Sequence, residues 1–88
     1  MLFIVRFATS AATRDAGVER FKKTGGLPPA GVKMLGRWHN ADGTGGLCIA
    51  ETDDASAIAA WVHQWTDILV FDVRPALTDE QLGKVLMG

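Results

Sequence analysis

Three short runs in this 88-residue chain are hydrophobic at odd and even positions alike: Leu2-Phe3-Ile4-Val5, Leu47-Cys48-Ile49-Ala50 and Ile68-Leu69-Val70-Phe71. A β-strand sends successive side chains to opposite faces, so a strand with one side in water alternates apolar and polar residues. Runs that are apolar on both sides belong to a sheet covered front and back. A chain this short supplies too few helices to cover a four-stranded sheet twice. Part of the cover is therefore expected from a second copy of the chain.

Size and composition lead the same way. One domain of 9.4 kDa removes only roughly 60–65% of its unfolded surface from water on folding. Against that limit, a hydrophobic content of 48% with mean hydropathy +0.12 is high for a lone subunit. Nine basic and ten acidic residues give a net charge of −1, which leaves no electrostatic footprint for nucleic acid or an anionic membrane surface. The single cysteine, Cys48, has no partner within the chain for a disulfide. The first apolar run is interrupted by Arg6, too early for a membrane span or an export signal. A reducing, cytoplasmic setting is the expectation.

Along the chain, Leu2 to Ala8 reads as a strand. Thr13 offers an N-cap for a helix to about Lys23, with Val18 and Phe21 facing inward. Gly17 inside that helix costs about 1 kcal/mol relative to alanine. Gly25-Gly26 ends it, and Leu27-Pro28-Pro29-Ala30-Gly31 is a stiff non-helical connection. A strand from about Val32 to His39, the turn-rich Asn40 to Gly45, and a strand from Gly46 to Glu51 form a hairpin whose register the loop leaves open. Asp53 is expected to cap a second helix with Ala55, Ile58, Val62 and Trp65 on one stripe and Trp61 on its flank. After Thr66-Asp67, a strand from Ile68 to about Arg74 is stopped by Pro75, a residue suited to a sheet edge. Thr78-Asp79-Glu80-Gln81 is a capping box for a last short helix bearing Leu82, Val85 and Leu86. The order is βαββαβ plus a C-terminal helix, a single α+β domain over residues 1–88 with a ferredoxin-like antiparallel sheet and both main helices on one face.

Several stretches also resemble a known family. Met1-Leu2-Phe3, Pro28-Pro29-Ala30-Gly31-Val32-Lys33, Leu35-Gly36-Arg37-Trp38-His39, Glu51-Thr52-Asp53-Asp54 and Trp61 through Trp65 are similar to short bacterial proteins grouped as domain of unknown function 3303. The resemblance implies a dimeric α+β barrel, in which two ferredoxin-like sheets pack together, and no agreed activity. The wider superfamily holds cofactor-independent monooxygenases, haem-degrading enzymes, lactone isomerases, chlorite-type haem enzymes and plain ligand binders. Fold alone does not choose among them.

The residues with chemical potential are few. Arg37 and His39 share one strand face and Trp38 takes the other. Arg37 and His39 together suit holding a carboxylate or enolate and moving a proton on it, which makes them the candidate catalytic pair. The plainer alternative has Trp38 in the core, Arg37 paired with Asp72 or Glu51, and His39 solvated. Trp38, Trp61 and Trp65 are candidate ligand-binding residues, with core packing the competing role. Arg6, Asp72 and Arg74 interrupt apolar strands and are expected to pair at the dimer interface, because an uncompensated buried charge costs several kcal/mol. Cys48 reads as a buried thiol and His63 as solvent-facing. No Cys/His spacing matches a metal site, no cofactor is called for, and the glycines at 43, 45 and 46 lie between strands, where phosphate loops do not occur.

Three functions compete. The first is a homodimer that binds a small apolar or aromatic anionic molecule between sheet and helices, with Arg37 as polar anchor. The second is a cofactor-independent oxygenase or isomerase in which His39 transfers a proton and Arg37 stabilises an oxyanion. The third is a structural or interaction module without a ligand.

Overall fold

The computed structural model describes all residues, 1–88. Its elements are β1 (Leu2–Ala8), α1 (Arg14–Thr24), β2 (Lys33–His39), β3 (Gly45–Glu51), α2 (Ala55–His63), β4 (Val70–Ala76) and α3 (Asp79–Met87). The four strands form one antiparallel sheet in the order β2-β3-β1-β4. This is the ferredoxin-like βαββαβ arrangement followed by a C-terminal helix. Alternation along β1 sets the two faces. Phe3 and Val5 point to the helix side and are 5% and 2% exposed, whereas Ile4 and Arg6 point away.

The core lies between the sheet and α2. Ile58, Trp61 and Val62 of α2 are buried against Phe3, Val5, Cys48 and Ala50. Their spacing of three and four residues puts them on one helix face, which is why a nine-residue helix suffices. Asp54, one residue after the expected cap, starts α2: its carboxylate accepts from the Ser56 backbone N–H at 2.9 Å and is held below the usual carboxylate range by those Ser56 bonds. Adjacent aspartates are equal candidates in sequence, and only the one with extended backbone and a side chain aimed into the first turn can cap.

Three further boundaries differ from the expectation. Helix α2 stops at His63, so Trp65 lies in the following turn, where its carbonyl accepts the backbone N–H groups of Ile68 and Leu69. Those two residues belong to that turn and its exit, and β4 begins at Val70. Pro75 sits inside β4, opposite Phe3, without ending it. Strand β4 is an edge, so a missing N–H there interrupts no ladder. The hairpin register pairs His39 with Gly46 and Arg37 with Cys48, with an irregularity at Leu35.

The outer face has no such cover. Trp38 is 61% exposed and lies across Gly36, where any added Cβ would come within 2.5 Å of the indole. Helix α3 has the expected capping box, with Thr78 Oγ1 accepting from Gln81 N and Gln81 Oε1 accepting from Thr78 N. It buries none of its own residues.

Candidate functional site

On the helix side the register brings together residues far apart in sequence. Phe7 faces Phe71 across the β1–β4 pair and Gly46 across the β1–β3 pair. His39 stands opposite Gly46 on β2, so its ring reaches toward Phe7 over a position with no side chain. The His39 imidazole is edge-on to Phe7, with centroids 5.7 Å apart, and to Phe21 of α1 at 5.4 Å. Of the two histidines, only His63 has a side-chain hydrogen bond, to the Ala59 carbonyl at 2.7 Å.

These side chains border a cleft between α1, the end of α2 and the sheet. Its deep end, about 70 Å³, has Val5, Cys48, Trp61 and Val62 in its wall. Its open part, about 260 Å³, extends past Val18 and Gly17 to Arg14, Thr9 and Gly43. Phe7, Phe21, His39, Trp65 and Leu69 line both. An apolar cavity of about 150 Å³ is enough to hold benzene, so the deep end alone is too small for a ring and only the open part has that much room.

Two arginine contacts hold the walls. Arg37 donates to the carbonyls of Gly26 and Gly25, both at 2.8 Å, and lies 4.9 Å from the Phe21 ring centroid. It thereby satisfies carbonyls left free just past the end of α1. Gly26, at φ 57°, leaves room for this, since a Cβ there would stand 2.8 Å from the guanidinium. Arg37 thus pairs with backbone, and neither Asp72 nor Glu51 is its partner. On the far side Arg20 makes a bidentate bond to Asp67, at 2.8 and 2.7 Å, donates to Gln64 O at 2.9 Å, and lies 5.4 Å from the Trp65 ring centroid. The Arg20 guanidinium holds the Asp67 carboxyl below the usual carboxylate range. Burial raises the Cys48 thiol pKa, opposed by the charge of Arg37, so the thiol is neutral near pH 7.

The candidate residues therefore divide. Arg37, His39, Trp61 and Trp65 converge on the cleft. Trp38 lies on the opposite face of the sheet, as do Arg6, Asp72 and Arg74. Arg6 is opposite Asp72 in the register, and Arg74 Nε donates to Asp72 at 2.9 Å, which lowers the Asp72 pKa. Phe7, Phe21, Leu69 and Arg14 belong to the cleft although sequence reasoning did not select them for a site. The spacing of Phe21 on α1 had shown only that it turns inward. No three His, Cys, Asp or Glu side chains converge in a metal-binding group, and no helix is long and apolar enough to cross a membrane.

A ferredoxin-like α+β sheet with a cleft under its helices is a class that hosts many activities. Within that class the chain matches, over residues 1–88, the family described as Domain of unknown function (DUF3303), and it belongs to that family. No curated protein matches it.

Proposed function

We propose that the protein is a homodimer, of the dimeric α+β barrel kind, that binds a small apolar or aromatic anionic molecule between its sheet and helices. The observation that carries the ligand reading is the cleft lining: mostly aromatic and aliphatic, with Arg14, Arg37 and His39 as its basic groups and no carboxylate among them. Such a space favours a flat apolar body with negative charge. The lone buried cysteine suits a reducing, cytoplasmic setting.

Surface area supports the dimer. The chain exposes 6008 Å², against about 5,000 Å² expected for a compact 9.4 kDa monomer. The excess is near the roughly 800 Å² that each partner buries in a standard interface. Exposed apolar side chains away from the cleft include Trp38 and Val70 on the outer face and Val85 and Leu86 of α3, which are 61%, 75%, 65% and 76% exposed. The radius of gyration, 14.3 Å, also exceeds the roughly 12 Å of a compact chain this long.

The three tryptophans separate the two halves of the proposal. Their indole N–H resonances are expected to respond differently: aromatic acid fragments shift Trp61 and Trp65, whereas dilution shifts Trp38. A fragment set that moves neither Trp61 nor Trp65 would contradict the ligand reading and favour an interaction module. A second reading draws on His39, whose ring nitrogens have no protein partner: it transfers a proton on a bound carbonyl compound, without a cofactor. Solvent deuterium should then enter an acidic C–H of a cleft-bound ketone in the native protein and not in His39→Gln.

A further inference from the structure

We infer that Arg14 is the residue that receives the ligand's charge, and that the ligand is a monoanionic carboxylate on a flat apolar body. The body lies between Phe21 and Trp65, and the carboxylate points out toward the β2–β3 turn. This inference rests on the cleft reading above and specifies its chemistry.

The arginines near the cleft differ in what their donors do. Arg37 is engaged with two backbone carbonyls, and Arg20 with Asp67 and Gln64. Arg14 makes neither an ion pair nor a side-chain hydrogen bond, and its backbone is anchored beside the hairpin turn. Its backbone N–H donates to Ser10 O at 3.0 Å, and the loop before it is tied to the hairpin turn by Thr9 N to Thr44 O at 3.0 Å. Its guanidinium lies against Gly43, at φ 77°, where a Cβ would stand 2.7 Å from one of its nitrogens. Asp42 is the nearby carboxylate, and it already accepts from Thr44 N at 3.0 Å and Thr44 Oγ1 at 2.6 Å.

A guanidinium with free donors at the mouth of a mainly apolar cleft matches the two oxygens of a carboxylate. One unpaired cation with an aspartate nearby suits a single negative charge better than a phosphate dianion. In the deep part Arg37 is engaged with the Gly25 and Gly26 carbonyls and His39 is the other basic side chain, so the cation with free donors stands at the mouth, which sets the orientation: ring inward, charge outward.

The experiment compares naphthoate with its uncharged isostere naphthamide, each titrated into the native protein and into Arg14→Met while the Trp65 indole N–H resonance is followed. Methionine keeps the helix propensity of the exposed position, so the fold is retained. The expected result is at least tenfold tighter binding of naphthoate than naphthamide by the native protein. Arg14→Met should abolish that difference while keeping its affinity for naphthamide. Equal affinities in the native protein, or an unchanged preference in Arg14→Met, would overturn the inference and leave the cleft reading standing. If neither probe binds the native protein, the inference and the cleft reading both fall.

Discussion

The two faces of the sheet are built from the same kind of sequence and end in opposite states. On the helix side, Phe3, Val5, Cys48 and Ala50 meet Ile58, Trp61 and Val62 and are nearly removed from water. On the other side, Ile4, Leu47 and Ile49 are only half-buried, Trp38 lies flat and exposed over Gly36, and α3 holds its apolar stripe in solvent. A nine-residue amphipathic helix closes one half of one face. The rest of that face becomes a cleft, and the opposite face is left open to water. Burial by the chain's own helices contributes stability to the fold, whereas the proposed cover from a second copy would make part of the stability depend on concentration.

The comparison can be broken most forcefully at its tryptophans. Trp61→Ala should lower the unfolding free energy by about 3–5 kcal/mol in urea titrations, because it empties a packed site. Trp38→Ala should leave the single-chain fold intact but weaken self-association by about 2 kcal/mol or more, read from the dimer dissociation constant. Equal losses of fold stability from both would erase the distinction between the faces.

Arg37→Ala sharpens the picture of the cleft wall. It leaves the Gly25 and Gly26 carbonyls without their donor and should cost about 1.5–3 kcal/mol in the same urea assay, the range for hydrogen bonds to a charged group. Gly17→Ala should act in the other direction. Its Cβ would meet only Ile68, at 4.0 Å, so the variant should gain up to about 1 kcal/mol of stability while narrowing the cleft mouth.

The smallest effect belongs to the exposed clasp between Arg20 and Asp67. Asp67 titrates below its unfolded value of about 3.9, so the clasp's contribution is complete above that pH and is lost as the pH falls through the lower, folded value. Asp67→Asn should therefore flatten the acid limb of the stability profile slightly and leave stability at pH 7 almost unchanged, since exposed pairs contribute little.

Much of the fold was legible because short apolar runs, the Thr78 capping box and the glycine turns are local signals. The cap of α2 was missed by one residue because Asp53 and Asp54 differ only in backbone conformation. Trp65 was assigned to the helix because its spacing continues the apolar stripe, although the chain turns at Gln64. Alternation did place Arg37 and His39 together and Trp38 apart. It could not reveal that Arg37 would bond to carbonyls eleven and twelve residues away. Arg14 had no local signature at all: an arginine in the first turn of a helix looks solvated until the β2–β3 turn is folded against it.

Sedimentation velocity at micromolar concentration tests the central claim, that the outer face and α3 are covered by a second copy. The account predicts a species of twice 9.4 kDa that dissociates on dilution and shifts toward single chains in Trp38→Ala. A stable single chain of 9.4 kDa throughout that range, with Trp38 and α3 left in water, would contradict it.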